Sequence, residues 1–246
     1  MNHPSHVLYD LRLFLTTEYP CSYLPEQRAR NLVADPALIS SALYGQLAPL
    51  GFRRSGDHLY RPHCQACQAC RSLRIPAARF QPNRAQRRIG ARNQDLAMRQ
   101  KDAHFDDEHF ALFARYIATR HGGGGMDPAS PESYWSFITS QWCPTTLCEF
   151  RLGSRLLAVA VVDRLSDGLS AVYTFFDPDC APRSLGTFAI LWQIAEAQRQ
   201  ALDWVYLGYW IAQCDKMAYK SRFHPHEIFI AERFAWVEPR PEPITP

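Results

Sequence analysis

The chain has no hydrophobic run of the roughly 18 residues that a membrane-spanning helix needs, and its first residues do not join a charged segment to an apolar one. A G-x-S-x-G elbow, an H-E-x-x-H helix and a Walker sequence are also missing, which excludes the commonest hydrolase, zinc-protease and nucleotide-binding signatures. The 246 residues carry a formal net charge of only +3, so total charge identifies no partner. We therefore predict a soluble cytoplasmic protein that makes no use of a membrane.

The basic charge is concentrated in one segment. Residues 51–101 carry twelve Lys and Arg against two acids, whereas residues 102–246 carry twelve against eighteen. Such a segment suits a polyanion, because each neutralised phosphate releases counterions. Nucleic acid is the predicted partner, and a solvated arginine-rich face without a partner is the alternative.

The pattern along the chain predicts an α+β protein with two domains, divided at residue 101. Residues 1–101 are rich in Cys and Arg and poor in periodic segments, so they predict a small irregular domain. Residues 102–246 change to period-two segments followed by a long helix, which predicts a mixed sheet flanked by helices. The predicted helices are 25–34, 35–50, 84–101, 106–121, 131–142 and 184–201, and the predicted strands are a hairpin over 51–60, then 145–152, 156–163, 169–176, 204–208 and 227–234.

Three of the eight cysteines, Cys64, Cys67 and Cys70, form a C-x2-C-x2-C run. A reducing cytoplasm disfavours disulfides, so this spacing indicates metal or redox chemistry. Residues three apart in a tight loop can turn their sulfurs toward one centre, and Cys21 or His63 would supply a fourth ligand. Zinc fits a closed Cys/His set and an iron–sulfur cluster fits four cysteines, whereas ordinary thiols are the alternative.

Basic and aromatic side chains mark three further segments. Arg84, Arg87 and Arg88 share one face of the predicted helix and suit bidentate phosphate contacts, unless that face is simply solvated. Residues 173–188 join a strand to a helix start, whose free N–H groups bind an anion or a developing oxyanion. Residues 204–220 combine stacking surfaces with charge, as gripping an unpaired RNA end requires, although core aromatics are the alternative; they include Tyr206, Tyr209, Trp210, Lys216, Tyr219 and Lys220.

Together these segments closely resemble the aminoacyl-tRNA–protein transferases of the N-degron pathway. The resemblance extends from about residue 15 to residue 234 and is carried by Y-P-C-S-Y-L-P-x-Q, G-F-R-R-S-G, Y-R-P-x-C-x2-C-x2-C, F-x-P-N-R-x-Q-R-R, Y-x-F-F-D-P, R-S-L-G-T-F and L-G-Y-W-I-x2-C-x-K-M-x-Y-K. Trp210 stands where the family has a second tyrosine, a change that keeps a stacking surface and removes a hydroxyl. Chain length and overall likeness favour the bacterial branch.

The resemblance implies an enzyme that moves an amino acid from a charged tRNA to the N-terminal α-amine of a protein and so marks it for degradation. In the bacterial branch the donor is leucyl-tRNA and the acceptor begins with Asp or Glu, whereas eukaryotic relatives use arginine. It also implies a C-terminal domain similar to the N-acetyltransferase superfamily (GNAT), in which the acyl donor lies where two strands splay. No cofactor is implied for the transfer. Eukaryotic relatives are linked to an iron–sulfur cluster, but with a different cysteine spacing.

The hypothesis assigns three groups of residues. Those expected around the ester are Tyr173, Asp177, Ser184, Leu185 and Gly186, with Asp177 orienting or deprotonating the attacking amine. Those expected to bind tRNA or the acidic acceptor are Arg53, Arg54, Arg84, Arg87, Arg88, Tyr206, Gly208, Tyr209, Lys216, Tyr219 and Lys220. Metal ligands, if any, are Cys21, Cys64, Cys67 and Cys70.

Three other functions remain open on the sequence, and the first is transfer of arginine from arginyl-tRNA by the same chemistry, because the residues themselves do not separate the two donors. A non-catalytic RNA-binding or metal-sensing protein would also use the cysteines and arginines. An acetyl-CoA-dependent acetyltransferase is disfavoured, because residues 183–188 do not match the Q/R-x2-G-x-G/A loop that binds pyrophosphate in that superfamily.

Overall fold

The computed structural model describes residues 11–123 and 126–239. In chain order the strands are β1 Leu13–Leu15, β2 Tyr19–Pro20, β3 Arg28–Ala29, β4 Asn31–Ala34, β5 Arg53–Ser55, β6 His58–Pro62, β7 Arg71–Pro76, β8 Ala97–Asp102, β9 Thr145–Leu152, β10 Arg155–Arg164, β11 Gly168–Phe176, β12 Trp204–Trp210, β13 Glu227–Ile230 and β14 Ala235–Val237. The helices are α1 Ser41–Leu47, α2 Arg84–Arg92, α3 Asp107–Arg120, α4 Pro131–Ile138, α5 Leu185–Arg199 and α6 Asp215–Ala218. None of these helices is long and apolar enough to cross a bilayer.

An eight-stranded mixed sheet has the order β14-β13-β7-β12-β11-β10-β9-β8. β11 and β12 are parallel, and the other neighbouring pairs are antiparallel. This arrangement arises because β8 to β11 form a meander, after which α5 crosses over and returns the chain as β12. The mixed α+β architecture predicted from the sequence is confirmed.

Helices cover both faces of the large sheet. On one face, α5 buries Leu185, Ala189 and Ile194 among sheet residues. On the other, Phe113 of α3 and Tyr134 of α4 pack against β10 and β11. β10 is therefore buried on both sides, which explains why its sequence is almost continuously apolar rather than alternating.

A separate N-terminal unit contains the four-stranded sheet β1-β4-β6-β5, with α1 packed in its core. β7, which precedes residue 101, and β8, which runs across it, belong to the large sheet instead. Sheet membership therefore changes near residue 70, and the division of the chain at residue 101 stays a prediction.

Two predicted helices are wrong in whole or in part. Residues 25–34 form β3 and β4, because β4 is paired on both sides, by β1 and β6. The helix predicted over 84–101 ends at Arg92, where the Asn93 side chain donates hydrogen bonds to the backbone oxygens of Ile89 and Arg183. Residues 97–102 then extend the sheet as β8, whose partner is β9.

Candidate active site

The large sheet opens between its two parallel strands. β11 and β12 pair only over residues 168–170 and 204–206, although both strands continue beyond that point. β12 then shifts its register against β7 between Tyr206 and Gly208, and Gly208 has a φ of 76° that only glycine adopts readily. We call the space between residues 171–176 and residues 207–210 the strand cleft.

Lys220 lies at the β12 side of the strand cleft. It follows α6 in a 3-10 turn, is 8% exposed, and its Nζ donates a hydrogen bond to the Tyr209 carbonyl at 2.7 Å. Burial, helped by the positive charge of Arg53, lowers the pKa of Lys220 to about 7. A side chain at position 208 would place its Cβ 3.8 Å from Nζ, in van der Waals contact, so glycine keeps the position beside the amine free of a side chain.

Aromatic rings form the β11 side of the strand cleft. The Tyr173 ring packs edge-on against Phe137 and Tyr116, with centroid separations of 5.0 and 6.2 Å. Its hydroxyl is buried and has no hydrogen-bond partner among the described residues, and burial raises the pKa of Tyr173 far above its usual range. Tyr219 is partly buried, and removal of its hydroxyl from water is the main reason that its pKa rises to about 12. The phenols here are hydrogen-bond donors rather than bases at neutral pH.

Asp177 closes the end of β11. Its buried carboxylate accepts hydrogen bonds from the Asp179 backbone N–H at 3.1 Å, from Arg115 at 2.8 Å and from Arg155. Burial alone would raise the pKa of Asp177, but these hydrogen bonds and the two guanidinium charges lower it. A carboxylate so engaged is a poor proton acceptor, so the geometry favours a role in holding the turn.

Residues 184–186 start α5 beside this turn. Ser184 has a left-handed φ of 53° and its hydroxyl makes no capping hydrogen bond. Leu185 is buried, and Gly186 packs so closely that an added Cβ would lie 3.2 Å from the Phe176 ring. The backbone of the helix start, rather than these side chains, is therefore what the site can present to an anion.

Arg53 and Arg54 are adjacent in the chain but have different hydrogen-bond partners. Arg54 is fully engaged: its guanidinium bonds both Asp163 oxygens, at 2.5 and 2.8 Å, together with Thr145 and the Ile138 carbonyl. Burial alone would lower the pKa of Arg54, but Asp163 raises it. The remaining nitrogen, Nη1, donates to the Thr139 carbonyl at 3.3 Å, so all three guanidinium nitrogens have acceptors within the protein. This geometry favours a structural role for Arg54 over the expected binding of the acceptor.

Arg53 is buried, and no acidic residue in the described part of the chain pairs with it. It donates to the Ala48 and Phe52 carbonyls and stacks 4.8 Å above the Tyr206 ring, while its Nε and Nη2 find no partner within residues 11–123 and 126–239. Tyr206 is also enclosed and donates to Asp167, and the Tyr209 hydroxyl donates to the Tyr60 carbonyl at 3.0 Å. These two tyrosines are core residues rather than exposed stacking surfaces for RNA.

The arginine face of α2 is at the surface. Arg84, Arg87 and Arg88 are all exposed, on a helix whose start is fixed by reciprocal hydrogen bonds between Asn83 and Gln86. Lys216 on α6 is exposed as well. These four cations are free to meet a polyanion, whereas the buried Lys220, predicted with them, is not.

The four candidate metal ligands line one cavity of about 930 Å³. Burial, followed by the charges of Cys21 and Cys64, raises the pKa of Cys70 to about 12. The sulfurs are not gathered into a ligand set: among the described residues, no three of them lie within 4.8 Å of one another. The four thiols therefore share one cavity, but in this structure their sulfur atoms are too far apart to bind a single metal ion together.

A buried polar network connects α3 with β8 and β9, and no sequence motif predicted it. Glu149 accepts hydrogen bonds from His109 at 2.7 Å and Arg151 at 2.7 Å, and Lys101 lies 2.6 Å away. Burial opposes ionisation, but these partners lower the pKa of Glu149 to about 2. Asp106, His109 and Glu149 are close enough to hold a metal, yet two cations already occupy Glu149.

Comparison with known proteins places the chain in a class. The models for the N terminus and the C terminus of arginine-tRNA-protein transferase match residues 19–88 and 108–230. These matches define an aminoacyl-tRNA–protein transferase.

The relatives narrow the class. The aspartate/glutamate leucyltransferase of Nitrosococcus oceani is 55% identical over 223 residues, which cover 90% of this chain and 94% of that protein. That of Pseudomonas paraeruginosa is 52% identical over 228 residues, or 92% and 96%. The chain belongs to the aspartate/glutamate leucyltransferase family.

Solved structures are more distant. The C-terminal domain of a lysylphosphatidylglycerol synthetase from Agrobacterium fabrum has a TM-score of 0.46 and 13% identity, covering 79% of this chain and 71% of that one.

Proposed function

We propose that this enzyme transfers leucine from leucyl-tRNA to the N-terminal α-amine of proteins that begin with Asp or Glu. The observation that carries the proposal is the 55% identity to an aspartate/glutamate leucyltransferase along nearly the whole chain. Both matching family models are described as arginine-tRNA-protein transferase, so arginyl-tRNA is the second donor to test. The product would enter the N-degron pathway in the cytoplasm.

The strand cleft is the proposed site of transfer. The order of a meander, the helix α5 and the parallel strand β12 supports a GNAT-like core, in which an acyl donor enters between splayed strands. Two residues of the strands that border the cleft have buried donors with no partner among the described residues, the Tyr173 hydroxyl and the Trp210 indole N–H. Such donors would hold an ester carbonyl, because a buried donor gains most when it finds an acceptor.

The reaction needs positioning more than activation. The aminoacyl ester is already reactive, and an α-amine with a pKa of about 7.7 to 8.0 is partly neutral in the cytoplasm. The exposed arginines of α2 and Lys216 would hold the tRNA. Asp177 and the start of α5 would fix the wall against which the ester lies.

Recognition of the acidic acceptor needs a cation. Arg53 is the best-supported candidate among the buried arginines, because two of its nitrogens lack a partner among the residues that the structure describes, whereas every guanidinium nitrogen of Arg54 has one. A carboxylate that reached Arg53 would relieve the cost of a buried unpaired guanidinium.

A metal at the cysteines is a separate proposal. Thiols are the right donors for zinc or an iron–sulfur cluster, and Cys21, Cys64, Cys67 and Cys70 line a single cavity. Their sulfurs would have to move together to bind either, and the transfer chemistry above does not use a cofactor. Iron, zinc and sulfide analysis of anaerobically purified protein tests this proposal.

A transfer assay tests the reaction. Labelled leucyl-tRNA or arginyl-tRNA is offered with peptides that differ only in their first residue, Asp, Glu, Asn or Ala, and acetyl-CoA serves as the competing donor. We expect label from leucyl-tRNA on the Asp and Glu peptides alone. Label from arginyl-tRNA alone would reverse the donor, and no label on any peptide would favour a binding protein.

A further inference from the structure

Lysine is rare in this chain. It contains 24 arginines and only 3 lysines, Lys101, Lys216 and Lys220. Lys101 is part-buried and ion-paired, Lys216 is exposed, and Lys220 is buried at the strand cleft. The difference matters chemically, because an arginine stays protonated in proteins whereas a buried lysine can lose its proton.

The surroundings of Lys220 disfavour a charged ammonium. Its Nζ hydrogen bond goes to a backbone carbonyl, and no carboxylate in residues 11–123 and 126–239 forms an ion pair with it. The charged or titratable groups that act on it are Arg53 from β5 and the thiols of Cys70 and Cys214. The low pKa of about 7 agrees with this geometry: a buried amine, a nearby guanidinium and no counter-charge.

The amine is also next to a glycine, which places no side chain against it. A neutral lysine keeps one N–H for the Tyr209 carbonyl and has a lone pair to offer elsewhere. Gly208 leaves a space of about one methyl group beside Nζ, because an added Cβ would lie 3.8 Å from it, in ordinary van der Waals contact. This space adjoins the point at which β11 and β12 separate.

We propose that Lys220 is the general base of the transfer reaction. This inference rests on the proposed function. The lone pair of the acceptor's α-amine forms the new C–N bond with the ester carbonyl carbon, and the proton that this nitrogen loses passes to Lys220 Nζ. The ester C–O bond then breaks with its electron pair going to the ribose oxygen, which receives the proton back from Nζ. No oxidant, metal or further reactant is needed.

The test uses the slope of rate against pH, which separates a base from a structural lysine. Single-turnover transfer of labelled leucine is measured with subsaturating acceptor peptide between about pH 5.5 and 8, with blanks for ester hydrolysis. In the wild type both the acceptor amine and Lys220 must be neutral, so log rate should rise at low pH with a limiting slope near two. In Lys220→Arg, which keeps a donor and a charge, the slope should fall to one.

The expected loss of rate in Lys220→Arg is about 100-fold or more at neutral pH, typical of removing a general base. Lys220→Met provides the same measurement if the arginine variant does not fold. Lys101→Arg is the matched control, because it makes the same substitution at a lysine bound to Glu149. It should keep the wild-type slope and rate.

Affinity for uncharged tRNA tests whether Lys220 binds tRNA instead of accepting a proton. We expect it to be unchanged in both Lys220 variants, and a loss of affinity as large as the loss of rate would overturn the proposal in favour of tRNA binding. A Lys220 variant that keeps a slope of two, or transfers at the wild-type rate, would also overturn it. If the wild type itself transfers no leucine, the proposed function fails instead.

Discussion

The buried pair of Arg54 and Asp163 yields a prediction with a large magnitude. Both side chains are fully enclosed, and Asp163 neutralises Arg54 through two hydrogen bonds while Thr145 donates a third to the carboxylate. Asp163→Asn keeps the shape but leaves the guanidinium buried without a counter-charge. Removing one partner of such a pair costs about 3 to 5 kcal/mol of unfolding free energy.

For a chain of this length, that loss corresponds to a fall in Tm of roughly 10 °C. Urea unfolding followed by tryptophan fluorescence measures the free energy directly. Glu238→Gln is the comparison, because it breaks an ion pair whose side chains are 57% and 46% exposed and should cost at most about 1 kcal/mol. An Asp163→Asn protein within about 1 kcal/mol of the wild type would refute the reasoning. The KM for acceptor peptides should not change if Arg54 is purely structural.

Three further predictions concern the site. Lys220→Met should raise Tm at pH 7 by about 5 °C, because it removes a buried amine that is costly to protonate. Since the pKa of this amine is lower in the folded than in the unfolded protein, the wild type gains stability as pH rises from about 7 to 10.5. The difference in Tm between the variant and the wild type should therefore shrink at higher pH. Asp177→Asn should slow transfer while leaving the slope of its pH profile unchanged, because its carboxylate holds a turn and accepts no proton; a changed slope would contradict this. Replacing both Arg87 and Arg88 with Ala should weaken tRNA binding and lower its salt dependence by about one per lost phosphate contact, whereas Arg99→Ala, on the exposed strand β8, should not.

The strands and the long helix of the C-terminal part could be predicted closely, because each is determined by local pattern. The strands predicted at 145–152 and 169–176 differ from β9 and β11 by at most one residue, and α5 lies within the predicted helix. Residues 25–34 could not be predicted in this way. Their strand conformation depends on pairing with β1 and β6, whose alignment no local pattern reveals.

The candidate site was predictable as a set of segments but not as a set of roles. Arg53 and Arg54 are adjacent and alike in the sequence, yet only Arg54 meets a buried carboxylate, contributed by a strand more than a hundred residues later. Lys216 and Lys220 are four apart, yet one is exposed and the other enclosed beneath β12. Exposure and pairing are tertiary properties, which spacing alone does not give.

The most direct test of the account is transfer of labelled leucine from leucyl-tRNA to peptides beginning with Asp, Glu, Asn or Ala, measured in one set of reactions with the purified wild-type protein. The account predicts label on the Asp and Glu peptides at the α-amine and none on the Asn and Ala peptides. Label that does not depend on the acidic first residue, or its absence from every peptide, would contradict it.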